Sequence, residues 1–291
     1  MTRRGGFEGS DSAFSTASAQ AHARDTGVFT VGQLEEALLE LFPADDAEEW
    51  DRTGMLVGDA LQPVAGVCVA LDPTVEAIRE TRALAANVLV THHPLFLDPP
   101  VSLAPAERCG DAVGARVWEA VSAGVAVMSF HTALDVSPLA AQVLPGILGL
   151  SLEGILEAVR TAPIRGYGQI CVPQPGECLT LDELADRCQS AFQSIPRVWG
   201  PGSRRLSRIV TCTGAAGDDL ALACEAGMDC VVAGEVRYHK ALDAVSRGLC
   251  VIELGHDISE YPLTSVLVSS IRNVGIDSES IRVLGRANNW R

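Results

Sequence analysis

"GVCVALDPTVEAIRETRALAANVLVTHHPLF", residues 66–96, packs two apolar runs around one mixed stretch. Gly66–Leu71 and Val88–Val90 are unbroken apolar segments, the pattern of strands covered on both faces. Between them Pro73–Ala86 has helical spacing and good helix formers, so the stretch predicts strand, helix, strand. The second strand ends at Thr91-His92-His93, followed by Pro94. In a continuing strand adjacent side chains would point to opposite faces. Once the strand has ended, both imidazoles can enter one cavity.

The same grammar extends outward. Asp111–Ala123 predicts a helix and Val125–Phe130 a strand ending at His131. It then recurs: strand Arg208–Cys212, helix Asp218–Ala226, strand Cys230–Ala233 ending at Gly234-Glu235, helix Tyr238–Ser246, and strand Leu249–Leu254 ending at His256. Gly166–Val172 and Leu181–Ser190 add a strand and a helix to this second unit. Val31–Leu41, capped by Thr30, is an amphipathic helix ahead of the first. Residues 1–26 are rich in Ser, Ala and Gly without periodicity, which predicts a disordered N-terminal tail. The expected organisation is α/β: a first lobe over 27–160 and a similar second lobe over 161–291, with sheets covered by helices on both faces. Ligands of such sheets gather beyond the carboxyl ends of the strands, here the cleft between the lobes.

Five of the six histidines fall at or just after those strand ends. A lone histidine there is more often a hydrogen-bonded structural residue than a ligand. The grouping carries more weight. "HTALD" (131–135) sets Asp135 four residues beyond His131, and "GHDISE" (255–260) sets His256 and Glu260 at i and i+4, on one face of a helical turn. With His92 and His93 they make three imidazoles and two carboxylates, His92, His93, Asp135, His256 and Glu260, with no thiolate. That set is too hard for a zinc finger and overfills one tetrahedral site. It suits two divalent ions about 3.5–4 Å apart, with zinc, manganese and iron all compatible. Glu235 and His239 are surplus to ligation and are candidate catalytic proton carriers. The run Gly214–Gly217 could present backbone N–H groups to an anion, or serve only as a tight turn.

Composition narrows the function classes. The 291 residues are 47% hydrophobic and 20% charged, ordinary for a globular chain. A net charge of −15 disfavours nucleic acid and acidic membrane surfaces as partners. Nine cysteines, an odd number without a CxxC pair, sit mostly in apolar runs and predict a reducing, cytoplasmic setting without disulfides. No stretch has the apolar length of a membrane span, and residues 5–24 lack the apolar core of an export signal.

In order along the chain stand "EEWDRTGMLVGD" (48–59), "THHPLF" (91–96), "HTALD", "CTGAAG" (212–217), "GEVRYH" (234–239) and "GHDISE". This series resembles the dinuclear-metal family of GTP cyclohydrolase I type 2 homologues, also called the NGG-one-interacting-factor-three-like family, over about residues 30–285. The resemblance implies two interlocked α/β lobes, two divalent metals in the cleft, and a homohexameric ring. Carried over by position, the ligands are His92, His93, Asp135, His256 and Glu260, with His131, Glu235 and His239 lining the cleft. Asp51 and Gly54 match the family's loop. Ala133 replaces a frequent Asn, "VSPLAAQ" (136–142) lacks a common Gly-Gly-Asn-Asp run, and the inserted middle domain of longer members is absent. The implied function is metal-dependent hydrolysis of a nucleotide or related small molecule. The alternative is a non-catalytic metal-binding interaction or regulatory protein.

Overall fold

Helix α1 (Val31–Leu41) begins the described chain with a reciprocal cap: Thr30 Oγ1 accepts from the Gln33 N–H, and Gln33 Oε1 accepts from the Thr30 N–H. The computed structural model describes residues 29–159, 164–217 and 219–286. The expected tail lies outside them. After α1 come β1 (Gly54–Val57), β2 (Val67–Ala70), α2 (Val75–Ala83), β3 (Val88–Thr91), α3 (Ala112–Ala123), β4 (Ala126–Ser129) and two short helices, α4 (Thr132–Asp135) and α5 (Val143–Leu148). Strands β2, β3 and β4 run parallel, with Val67 opposite Val88 and Val88 opposite Ala126, while β1 closes one edge antiparallel to β4.

The second sheet starts with β5 (Ser151–Ala158) and β6 (Gly166–Val172), an antiparallel pair. A small ribbon of β7 (Leu179–Thr180) and a later β9 (Arg205–Leu206) brackets α6 (Leu181–Phe192) and β8 (Arg197–Trp199). Then follow β10 (Ile209–Ala215), α7 (Asp219–Glu225), β11 (Cys230–Glu235), α8 (Tyr238–Ser246), β12 (Cys250–Glu253) and α9 (His256–Glu260). Strands β10, β11 and β12 are parallel, with Ile209 opposite Cys230 and Cys230 opposite Cys250. The order β12-β11-β10 thus repeats β4-β3-β2.

Each sheet is apolar on both faces, which is why its strands read as unbroken runs. In the first, Val67, Val69, Val88, Val90 and Met128 meet α1, while Cys68, Leu89 and Val127 meet Ile78 of α2 and Ala120 of α3. In the second, Ile209, Val232 and Ile252 pack on Leu181, Leu184 and Cys188 of α6, and Val210, Val231 and Val251 on α7 and α8. Fully buried side chains such as Leu34, Leu38 and Phe42 contribute roughly 1.5–3 kcal/mol each over exposure.

Sheet membership divides the chain differently from the expected 27–160 and 161–291. The second sheet already begins at Ser151 in β5, and after α9 the chain returns to the first. Helix α10 (Leu263–Asn273) places Leu263, Val266, Leu267 and Ile271 in the core of α1, and β13 (Ile281–Val283) pairs parallel with β2. The apolar face of α10 finds its mate on α1, and the open edge of β2 gains a partner. The first sheet is therefore built from both sides of the second.

Candidate metal centre

The carboxyl ends of β3, β4 and β12 converge. At the end of β3 the His92 N–H donates to Ala70 O (3.3 Å) and the His93 N–H to Leu71 O (2.9 Å), fixing the backbone just past the strand. Both rings enter one cavity, with centroids 5.1 Å apart. His131 follows β4 and stands 5.1 Å from His92 and 5.7 Å from His93, ring to ring. Asp135 comes one turn later on α4. His256, the first residue of α9, lies 5.7 Å from His93, and Glu260 ends the same helix.

Each of the four rings is held at Nδ1 by a protein oxygen. His92 Nδ1 meets Phe130 O at 3.2 Å, His93 Nδ1 meets Asp72 Oδ1 at 2.8 Å, His131 Nδ1 meets Asp51 Oδ1 at 3.2 Å, and His256 Nδ1 meets Glu235 Oε2 at 3.2 Å. Carbonyl and carboxylate oxygens accept, so every Nδ1 carries a proton and every Nε2 is left as a donor atom toward the cavity. Asp51 also accepts from the Thr132 N–H (2.9 Å) and hydroxyl (2.5 Å), so one buried carboxylate both starts α4 and aims His131.

Glu260 sits at the middle, 3% exposed. Its Oε2 lies 2.9 Å from His93 Nε2 and 3.2 Å from His256 Nε2, and its Oε1 lies 3.6 Å from His92 Nε2. Asp135 Oδ1 is 3.7 Å from His92 Nε2 and accepts from the Thr213 hydroxyl at 3.3 Å. These two approaches to His92 exceed hydrogen-bond length. The fully buried His92 Nε2 has no hydrogen-bond partner among the described residues. An orphaned imidazole nitrogen facing two carboxylates fits a cation better than a proton. Two sets of donor atoms, from His92, His93 and His131 and from His93, His256 and Glu260, are each close enough together to hold a metal ion.

Room for Glu260 comes from a glycine. Gly214, at φ +61°, belongs to the irregular end of β10, and a Cβ there would lie 2.3 Å from Glu260 Oε1. The Gly214 N–H donates to Ser259 Oγ (2.9 Å), which seats α9 against this turn.

The electrostatics are those of a cation-attracting site. Burial alone would lower the His93 pKa, but hydrogen bonds and charge from Asp72 and Glu260 lift it to about 10. His92 is also raised: burial opposes, and Asp135 and Glu260 prevail. Contact with Glu260 raises His256. Burial opposes ionisation of Glu260 as well, yet His256, His92 and His93 hold it well below the usual carboxylate range. Burial pushes Asp135 upward. The negative potential that favours imidazolium here favours a divalent cation in its place.

All five residues expected as ligands lie around this cavity. His131, expected only as a lining residue, stands among the rings as a sixth potential donor. Its signal was present, since His131 and Asp135 have the spacing of His256 and Glu260. Glu235 reaches the cluster through His256. His239 does not join it: its ring, exposed on α8, stacks edgewise with Tyr238 at 5.4 Å. Asp72 was missed, although it stands two residues past the end of β2 and obeys the same strand-end rule.

A sequence model of Duf34/NIF3 (NGG1p interacting factor 3) matches residues 29–284. The chain belongs to the Duf34/NIF3 family. The Streptomyces coelicolor "GTP cyclohydrolase 1 type 2 homolog" is 33% identical over 236 residues, covering 78% of this chain and 80% of that one. Its namesake from Clostridium acetobutylicum is 28% identical over 243 residues, covering 81% and 88%. Among solved structures, Staphylococcus aureus hypothetical protein SA1388 superposes with a TM-score of 0.79 at 22% identity, over 91% of this chain and 99% of that one. A Bacillus cereus protein related to NIF3 gives 0.77 at 18% identity, over 88% and 96%. These likenesses establish the fold of this family member. Among its described residues no helix is long and apolar enough to cross a membrane.

Proposed function

We propose that this Duf34/NIF3 member is a metal-dependent hydrolase of a nucleotide or related small molecule. The observation that carries the reading is the convergence of the His92, His93 and His256 Nε2 atoms on Glu260, whose two oxygens face different partners, with His131 beside His92 and His93 and all four rings fixed at Nδ1. In this reading His92, His93, Asp135, His256 and Glu260, with His131 beside them, would hold two divalent cations. Such a pair would supply Lewis acidity to a substrate oxygen and make water a better nucleophile.

The chain's own residues then divide the work. Glu235 keeps His256 oriented through Oε2, while Oε1 has no hydrogen bond among the described residues and is available to accept a proton. His239 is the second candidate for that role, and its exposed place on α8 ranks it behind Glu235. Buried His92 and Glu260 exclude bulk water from the inner wall. The relatives' name, GTP cyclohydrolase 1 type 2 homolog, supports a nucleotide as substrate class.

Elemental analysis of protein prepared without chelator should give about two divalent ions per chain. A nucleotide and phosphoester screen on that protein should give turnover that chelation abolishes. Full metal content with no turnover on any substrate would favour the non-catalytic metal-binding reading instead. We further propose the family's hexameric ring, supported by the exposed apolar side chains Val101, Leu103, Trp118 and Val121. Light scattering should then give about 180 kDa, six times the 30.7 kDa chain. Nine free cysteines support a reducing, cytoplasmic setting.

A further inference from the structure

Glu235 has two neighbourhoods. One is the metal centre, through His256. The other is a cavity of about 410 Å³ on the second lobe, which Glu235 lines together with Ala215, Ala216, Gly217, Arg237 and Lys240. In a chain of net charge −15, two cationic side chains here face one hollow. They come from one local turn: Arg237 is the N-cap of α8 and Lys240 lies three residues on, the spacing that puts both on one side of a helix. Arg237 makes no hydrogen bond or ion pair among the described residues, and its side chain does not cap α8. Leu220 and Val236 add apolar lining, and a Cβ built on Gly217 would meet nothing within 4 Å.

We propose that this cavity is a phosphate subsite of the same active centre, which makes the substrate a phosphorylated small molecule. The inference rests on the hydrolase reading for its reacting end but stands on its own for the anion. The phosphate takes the Arg237 fork and the Lys240 ammonium, at the positive end of the nine-residue α8. Among the described residues that line the cavity Glu235 is the only acidic one, and its Oε2 already faces His256. The volume falls in the range of small-molecule pockets and exceeds what a bare phosphate fills. The remainder of the ligand extends past Glu235 toward His256, which brings its reacting bond to the metal centre.

The test is a calorimetric titration of inorganic phosphate into the full chain, metal-loaded and chelator-treated, with metal content and melting temperature measured alongside. Phosphate should bind in both forms. The double variant Arg237→Gln/Lys240→Gln should bind it at least about 10-fold more weakly, the loss expected for charge-assisted hydrogen bonds, with metal content and melting unchanged. Arg237→Lys, which keeps the charge but not the fork, should lose less than Arg237→Gln. Unchanged phosphate affinity in the double variant would overturn the proposal. So would binding that disappears on chelation, or no binding up to roughly 10 mM phosphate. Phosphate binding that depends on Arg237, in a protein without turnover, would remove the hydrolase reading and leave this one standing. Turnover of unphosphorylated substrates, indifferent to the double substitution, would do the reverse.

Discussion

The two β-α-β-α-β units share a strand order but supply opposite chemistry. Where β3 is followed by His92-His93, the corresponding β11 ends in Gly234-Glu235. The first unit delivers three imidazoles and Asp135, and the second delivers one imidazole and the central carboxylate. The reason lies in packing. A Cβ on Gly234 would come within 2.3 Å of Ser259 Oγ and 2.6 Å of Gly214 O, so the second unit closes its backbone tightly under α9. That closeness pushes Glu260 across the cleft into the rings of the first. A repeated topology here gives one lobe that presents most of the imidazoles and one that presents the central carboxylate.

The comparison can be broken most severely at Glu260. Among the described residues Glu260 is the only side chain that touches His92, His93 and His256 together, so Glu260→Ala should lower metal affinity by more than about 10-fold. Competition with a chromophoric chelator measures it. Metal binding left intact would mean that the first lobe holds its cations alone.

Glu235→Gln probes the second lobe's other carboxylate. Glutamine can still accept a hydrogen bond from His256, so metal should be retained while turnover drops about 10²-fold, as for loss of a general base. Lost metal would make Glu235 a required support of His256; retained activity would move the proton to His239.

A smaller effect separates two glycines of one turn. Gly214→Ala meets Glu260 Oε1 and is held at φ +61°, so thermal unfolding should report a loss of about 1–3 kcal/mol or more. Gly217→Ala, at φ +50° with open space around it, should cost only about 1 kcal/mol. Equal losses would show that backbone conformation, rather than the seat of Glu260, governs the turn.

The smallest effect concerns the two cores. Five buried cysteines line the second sheet and its helix α6, against Cys68 in the first. Burial pushes the Cys171 and Cys188 thiols up to about 12 from an ordinary 9.0. A raised folded pKa stabilises below the unfolded value and loses that stability as pH rises toward the folded one. Stability should therefore decline between about pH 9 and 12, and iodoacetamide at pH 8 should label exposed Cys178 while sparing Cys171 and Cys188. Equal labelling of all three would refute the closed core.

What could be read from the sequence follows sequence distance. The repeated strands and helices were legible because their apolar runs are local, as was the clustering of His92, His93, Asp135, His256 and Glu260, because strand ends are. Strands β1 and β13 and helix α10 were not, since each is defined by a partner far along the chain: β1 by β4, β13 by β2, α10 by α1. β5, an edge strand with half-exposed residues, lacks the unbroken apolar signature. Asp51's hold on His131 and Thr132 spans 80 and 81 residues and belongs to the same class.

Strand β13 has a consequence for how the molecule comes into being. As the chain leaves the ribosome, β2 to β4 emerge early, yet β2 keeps a bare edge until residues 281–283 appear. The second sheet, contiguous from Ser151 to Glu253, can finish first. An exposed parallel edge is an invitation to pair with a stranger, and it stays open for the synthesis of about two hundred residues, on the order of 10–40 s. A ribosome stalled after Glu260 would therefore hold a nascent chain carrying every proposed ligand and an incomplete sheet behind them.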